Sequence, residues 1–143
     1  MSNSIPESHA DLLLEPVNAV LTTLMPDGQP QMSIVWADYD GDSVLINTTL
    51  ERQKGKNMRL DPKVNVLIID PKNGNRYLEI RGRVLGYTQE GAIPHADKQA
   101  RAYSNNKQKH FYGDIYPKEQ QELETRVIFR ISPIKVNTDA IFS

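Results

Sequence analysis

The chain has 143 residues and a formal net charge of −1 at pH 7, and it contains no cysteine. This length suits a single domain over residues 1–143 with one hydrophobic core, and the near-zero charge argues against a general nucleic-acid surface. Without cysteine, disulfides, a thiolate nucleophile and a cysteine-ligated metal are excluded. The first 15 residues carry acidic groups and only a three-leucine apolar run. This pattern is typical of neither a signal peptide nor a membrane span, so we expect a cytoplasmic protein.

Alternating apolar residues and tight turn signals predict a mainly β chain with inserted helices. Two turn motifs, Pro26-Asp27-Gly28 and Asp40-Gly41-Asp42, indicate that the first strands form hairpins. Short antiparallel strands joined in this way favour a barrel or a sandwich over a parallel sheet. The predicted strands are Val17–Met25, Gln31–Tyr39, Ser43–Ile46, Val64–Ile69, Arg76–Thr88, Arg126–Ile131 and, beyond an interruption at Pro133, an edge strand at Ile134–Phe142.

Helix signals lie between and before the strands. A helix over Pro6–Leu14 follows residues 1–5, which we expect to be disordered, and an apolar stripe predicts another helix at His95–Asn105. The polar and aromatic residues 106–122 are typical of a loop that can hold a short helix from Pro117.

The most informative stretch is Asn47–Pro62, in which a strand runs into a short helix. Thr48 and Glu51 have the spacing of a capping box, which predicts that the helix begins after Thr48. A helix N-terminus beside cations favours anion binding. On its own, however, a run of charges is more typical of a solvated surface helix. The basic and polar residues fall on two neighbouring helix faces, with Arg52, Lys56 and Arg59 on one and Lys54 and Asn57 on the other.

Several other residues leave two interpretations open. Met32 is expected in the core, whereas Trp36 could either stack on a ligand or pack in the core. The aromatic loop Phe111–Tyr116 could cap a pocket, since functional loops cluster at such rims, or it could pack on the barrel. Gly82, in the middle of a long strand, predicts a bulge or a close backbone approach. The three histidines lack the spacing of metal ligands, so we predict no metal site and expect surface or polar-lining roles for His9, His95 and His110.

Several segments together form a recognisable pattern. They are the Val20–Trp36 hairpin with its P-D-G turn, DGDSVLINTT, ERQKGKNMRLDPKVNVLIIDP, YLEIRGRVLGYT and RVIFRISPIKV. This pattern resembles the pyridoxamine 5′-phosphate oxidase-like split β-barrel superfamily over residues 8–140, and in particular its branch that depends on the deazaflavin coenzyme F-420. The resemblance implies a six- to seven-stranded antiparallel split β-barrel of the FMN-binding type. It also implies a homodimer with the cofactor at the subunit interface.

The resemblance further implies roles for individual residues. Basic residues of the strand-to-helix turn would hold a phosphate or cofactor tail, and polar neighbours would hydrogen bond to it. Backbone groups of the second strand would face the polar edge of the ring system. The implied cations are Arg52, Lys54 and Lys56, the polar partners are Thr48 and Asn57, and the ring neighbours are Asn47 and the strand Met32–Val35, including Ser33, Ile34 and Val35.

The implied activity is an oxidoreductase that transfers a hydride from reduced F-420 to a small organic substrate. The alternative is an FMN-binding flavoprotein of the same fold, either an FMN-dependent oxidoreductase or a flavin-binding protein with little turnover. FMN oxidases of the superfamily carry basic residues on the second strand, but Gln31–Trp36 has no Arg or Lys, so vitamin B6 oxidation is not expected. No catalytic side chain is singled out, and the proton donor is left open among Tyr112, Tyr116, Ser33 and solvent.

Overall fold

The computed structural model describes residues 4–139, and its main feature is a closed barrel of six antiparallel strands. Around the barrel the strand order is β1-β2-β3-β6-β5-β4, and β4 pairs with β1 to close it. The prediction of a mainly β, antiparallel split barrel is therefore confirmed. The strands are β1 (Asn18–Leu24), β2 (Pro30–Tyr39), β3 (Val44–Thr49), β4 (Lys63–Ile69), β5 (Tyr77–Thr88) and β6 (Arg126–Thr138).

Helical segments precede β1 and fill the connections after β3 and β5. The predicted helix over Pro6–Leu14 is two short pieces, a 3-10 turn at Glu7–His9 and α1 at Asp11–Leu14. None of the helices between residues 4 and 139 combines the length and apolar character needed to cross a bilayer. The remaining segments are α2 (Gln53–Leu60), α3 (Ala92–Tyr103), a π-type turn (Phe111–Ile115) and α4 (Gln120–Leu123).

The start of α3 differs from the prediction. The helix begins at Ala92, three residues before the predicted start, because Gly91 adopts a left-handed conformation (φ 76°) at the N-cap. Pro94 then lies in the first turn, where backbone N–H groups have no partner within the helix and the missing donor costs nothing.

The barrel interior is filled by alternate strand residues, as the period-two pattern predicts. Burying each large aliphatic side chain contributes about 1.5–3 kcal/mol. Met32 does not belong to this core: the prediction that it does is wrong, because it is 69% exposed and β2 directs Val35 and Ala37 inward. The fully buried apolar residues of the barrel are Ala19, Leu21, Val44, Ile46, Val66, Ile68, Leu78, Ile80, Val127, Phe129 and Ile131.

Two predictions about the chain ends need correction. Ile5, expected in a disordered segment, is buried and packs into the core, while residues 1–3 lie outside the described part. Pro133 does not interrupt the last strand: β6 continues to Thr138, and Pro133 pairs with Gly82 where the β5–β6 register shifts. The irregular register accommodates a residue with no N–H, as is usual for proline within sheets. Residues 140–142 of the predicted edge strand are outside the described residues.

Two glycines permit close backbone approaches. At Gly82 a Cβ atom would lie 2.5 Å from Ile131 Cγ2 and 3.0 Å from the Ser132 carbonyl oxygen, so the predicted bulge and close approach are both confirmed. At Gly55 a Cβ atom would overlap the Thr49 carbonyl oxygen. Helix α2 is therefore pressed against the end of β3, and this contact sets where its cations lie.

Replacing Gly55 by alanine should destabilise the protein although alanine is the better helix former. At an unstrained helical site the change would stabilise by about 0.5–1 kcal/mol. Here α2 must move away from Thr49, so we expect the free energy of unfolding in urea to fall by about 1–3 kcal/mol. Gly74→Ala is the matched control, since a Cβ there meets no atom within 4 Å, and it should change stability by less than about 0.5 kcal/mol. A Gly55→Ala protein as stable as the wild type would contradict the close contact.

Candidate functional site

A cleft of about 170 Å³ lies where the middle of β2 and the end of β3 meet α2, α3 and the aromatic loop. Its lining is partly apolar and aromatic and partly polar, with three cations, two of which lie against aromatic rings. The apolar lining residues are Ile34, Val35, Trp36, Ala96, Phe111, Ile115 and Tyr116, and the polar ones are Asn47, Thr48, Arg52, Lys54, Gln99 and Arg126.

The cleft exists because β2 and β3 pair over only a short distance. Their described pairing covers Ala37–Tyr39 of β2, although β2 begins at Pro30 and pairs with β1 along Pro30–Trp36. The β3-facing edge of Pro30–Trp36 therefore has backbone N–H and C=O groups outside the strand ladder. One of them, the Trp36 carbonyl, accepts a hydrogen bond from Gln99 Nε2 at 3.0 Å. This open edge can offer backbone hydrogen bonds to a ligand in the cleft.

The predicted capping box does not form. Thr48 and Thr49 belong to β3 and pair with Val127 and Arg126 of β6. The helix begins at Gln53, and the Glu51 carboxylate instead accepts the Thr125 N–H at 2.6 Å. Strand pairing with a segment far along the chain thus wins over the local capping pattern, and it carries Thr48 onto the cleft wall.

Arg52 and Lys54 supply positive charge that the described residues do not neutralise. Both are partly buried on the cleft wall, and neither forms an ion pair within residues 4–139. Arg52 Cζ lies 5.2 Å from the ring centre of Tyr116. Burial, together with repulsion from Arg52 and Arg126, lowers the pKa of Lys54 below its usual value. A bound anion would relieve this repulsion, so the cleft has the electrostatics of an anion site.

Arg126 is a charged cleft residue that sequence reasoning missed. It is 6% exposed, and its guanidinium donates to Tyr112 Oη (2.9 Å), Asn47 Oδ1 (2.9 Å) and Glu124 Oε2 (3.0 Å). Its Cζ also lies 4.1 Å from the ring centre of Phe111. A guanidinium carries more N–H groups than these three acceptors use, so some can still serve a ligand.

Glu124 keeps Arg126 from being an uncompensated buried charge. Burial alone would raise the pKa of this carboxyl, but hydrogen bonds from Gln120, Tyr112 and Arg126 outweigh burial and lower it. The Arg126–Glu124 pair is therefore ionised and close to neutral overall. The net positive charge of the cleft comes from Arg52 and Lys54.

The candidate proton donors are placed differently from one another. Tyr112 donates to Glu124 at 2.6 Å, and burial together with this hydrogen bond raises its pKa. Ser33 pairs with the interior residue Leu21, and its Oγ is buried without a hydrogen-bond partner in the described part of the chain. Among the side chains of Tyr112, Tyr116 and Ser33, only that of Tyr116 lines the cleft.

The other residues implied as cofactor contacts divide into two groups. Asn47, Thr48, Ile34 and Val35 line the cleft together with Arg52 and Lys54, whereas Ser33 does not. Trp36 stacks on Tyr103 with ring centres 4.7 Å apart, which makes it part of the packing beneath α3 as well as of the cleft wall.

Lys56 and Asn57 lie away from the cleft. Lys56 is exposed and does not line it. Asn57 is fully buried; its Nδ2 donates to Thr23 Oγ1 (3.1 Å) and its Oδ1 accepts from Gln53 (2.8 Å). Its polar groups therefore hold α2 on β1, so its position does not support the implied contact with a phosphate.

The histidines with side-chain partners take part in carboxylate pairs. His9 Nε2 lies 2.8 Å from Asp139, and His95 Nε2 lies 2.9 Å from Asp38. Across residues 4–139 no group of three or more potential metal-ligating side chains comes together.

A closed six-stranded barrel with helices inserted after β3 and β5, and a cation-lined cleft at its split, defines a split β-barrel protein. The family model described as pyridoxamine 5′-phosphate oxidase matches residues 5–139, and the chain belongs to this family. No curated protein matches the sequence.

Solved structures share this fold over nearly the whole chain. An F420 reductase is 30% identical with a TM-score of 0.77, and the match covers 93% of this chain and 98% of that one. A conserved hypothetical protein from Mycobacterium tuberculosis is 24% identical with a TM-score of 0.67, covering 94% and 84% of the two chains. The heme storage protein HutZ from Vibrio cholerae has a TM-score of 0.65 at 13% identity, with 96% of each chain covered. At such identities the last two show the fold alone.

Proposed function

We propose that this protein is an oxidoreductase that binds the deazaflavin coenzyme F-420 and uses its reduced form to reduce a small organic substrate. The observation that carries the proposal is the pair Arg52 and Lys54, cations with no ion-pair partner among residues 4–139, in a cleft that also has an apolar and aromatic lining. The 30% identity to an F420 reductase over almost the full length supports the choice of cofactor.

The residues present fit a flat cofactor with an anionic tail. Arg52 and Lys54 would hold the phosphate, with the Thr48 hydroxyl as a further donor. The Ile34 side chain would contact the ring, and the open backbone edge of β2, at Val35 among others, would hydrogen bond to its polar groups. Burial and the neighbouring Arg52 and Arg126 already destabilise the protonated form of Lys54. An anion should therefore bind more strongly at this site than at an exposed lysine.

The residues that line the cleft indicate how the chemistry would be divided between the cofactor and the protein. When bound, the reduced cofactor supplies the hydride. The protein would orient it in the cleft, with its ring against the apolar lining residues. The hydroxyl of Tyr116, the candidate donor on the cleft wall, would hold the proton that completes reduction of the substrate.

Titration of the purified protein with F-420 and, in parallel, with FMN tests the proposal through ring fluorescence. We expect tight, saturable binding of F-420 and weak binding of FMN. Arg52→Ala and Lys54→Ala should each weaken F-420 binding roughly 10- to 100-fold, because each removes a charge-assisted hydrogen bond of about 1.5–3 kcal/mol.

Lys56→Ala is the matched control, since it removes a cation from the same helix but outside the cleft, and it should leave F-420 affinity nearly unchanged. Equal losses for Lys54 and Lys56 would show that the cleft is not the binding site. Tight binding of FMN with weak binding of F-420 would favour the flavoprotein alternative, and binding of neither would remove the proposed function.

We further propose that the protein acts as a homodimer. Ile34 of β2 pairs with Val20 of β1, which pairs with Leu67 of β4, so these side chains form an apolar row on the outer face of the barrel. Met32 extends this face, and Ile34 also lines the cleft. A two-fold partner on this face would cover the apolar row and close the open side of the cleft.

Sedimentation equilibrium at micromolar concentration should give twice the 16.2 kDa chain mass. Met32→Glu places a charge on the apolar face and should shift the protein towards the monomer. Leu123→Glu, on exposed α4, is the comparison variant and should remain dimeric. A wild-type monomer that still binds its cofactor tightly would contradict the proposed dimer.

A further inference from the structure

A chain of partly buried hydrogen bonds runs from the first turn of α3 to the cleft. His95 Nε2 lies 2.9 Å from Asp38 Oδ2, and His95 Nδ1 lies 3.0 Å from Asn47 Nδ2. The other end of the Asn47 amide, Oδ1, accepts Arg126 Nη1 at 2.9 Å. The chain therefore connects a histidine that does not line the cleft to an arginine that does.

The direction of the Asn47 amide follows from its neighbours. Arg126 can only donate, so the atom facing it must be the amide oxygen. The Ala92 carbonyl can only accept, so the atom 2.8 Å from it must be the amide nitrogen. The same nitrogen faces His95 Nδ1, which must therefore be an acceptor without a proton. The proton of the neutral ring is then on Nε2, where it is donated to Asp38.

Asp38 is suited to hold this ring form. Burial would raise the pKa of its carboxyl, but hydrogen bonds from His95 and from the Tyr39 N–H outweigh burial and lower it. Asp38 is thus an ionised acceptor for the Nε2 proton. Other charged and titratable groups lie around the pair. Lys98 of α3 is 3.6 Å from Asp38, and burial together with the Asp38 charge raises the pKa of Tyr103 to about 12. Arg126 and Glu124 lie beyond Asn47.

We propose that His95 is a positioning residue for the cleft: by accepting the Asn47 N–H at Nδ1, it orients the amide whose oxygen holds Arg126 on the cleft wall. This deepens the proposed function, and its effect on the cofactor rests on that function. A second proton on His95 would occupy Nδ1 and face the Asn47 amide nitrogen, so that two donors would meet. If the amide turned, it would lose the Ala92 carbonyl and present its nitrogen to Arg126.

The consequence is a pH dependence of F-420 affinity that comes from His95. As His95 gains its second proton, Arg126 loses an acceptor, and F-420 affinity should fall roughly 2- to 10-fold, the effect of one hydrogen bond. His95→Phe lacks the acceptor at every pH. Its affinity should be reduced at high pH and should lack the component of the pH profile that follows His95.

The experiment has one arm without cofactor and one with it. Long-range ¹H–¹⁵N spectra of the ¹⁵N-labelled protein alone, recorded across a pH titration, should show the neutral His95 ring as the Nε2–H tautomer. The Arg126 Nε–H signal should shift with the same midpoint as the His95 ring. In the second arm, F-420 binding is measured against pH for the wild type, His95→Phe and His95→Gln. The His95→Gln variant is included in case His95→Phe misfolds.

The control is His9→Phe, which also breaks a histidine–carboxylate pair but lies outside the cleft, and it should keep the wild-type pH profile. A neutral His95 ring with its proton on Nδ1, or an Arg126 signal that does not follow the His95 titration, would overturn the proposal whether or not F-420 binds. A pH profile unchanged in both His95 variants would leave His95 with a packing role only and would equally overturn it. Failure of the wild type to bind F-420 would count against the proposed function, while the first arm would still decide the role of His95.

Discussion

The early separation of β2 from β3 is the constraint on which the site depends. The two strands pair only along Ala37–Tyr39 of β2, while β2 continues its pairing with β1 down to Pro30. This opening leaves a backbone edge that the barrel does not use and room for side chains from α2, α3 and the aromatic loop. Without it, the cations after β3 would lie on an ordinary barrel surface.

Close packing on either side of the opening places the charged groups. Gly55 allows α2 to touch the end of β3, and the buried Asn57 ties the helix to β1 through Thr23. These contacts direct Arg52 and Lys54 into the cleft. Opposite them, α3 lies over the aromatic cluster and brings His95 to Asn47. The positive charge of the cleft is therefore held by rigid elements rather than by a loose surface helix.

The sequence predicts the barrel well because local signals determine it. Alternation of apolar residues and two hairpin turns locate the strands to within a few residues. It also identifies Arg52 and Lys54, the cations nearest the helix start. It does not separate them from Lys56, because the predicted helix places Arg52 and Lys56 on one face. In the structure the helix begins at Gln53, so Arg52 precedes it and the shared face with Lys56 does not form.

The features that sequence analysis misses depend on contacts between distant parts of the chain. Thr48 looks like a helix cap, but its backbone pairs with Val127 in β6. Arg126 looks like the polar first residue of a strand, because its partners Asn47 and Tyr112 become neighbours only in the folded barrel. Pro133 looks like a strand break until the register shift opposite Gly82 is known.

The most direct test of the central claim is the pKa of the Lys54 ammonium, measured by NMR of its side-chain methylene groups with and without F-420. The assignment would come from the Lys54→Arg variant. In the free protein this pKa should lie below that of an ordinary lysine, because the side chain is partly buried beside two guanidinium groups. Saturation with F-420 should raise it, since a bound anion stabilises the protonated form. A Lys54 pKa that does not change at saturating F-420 would show that the cofactor anion binds elsewhere and would contradict this account.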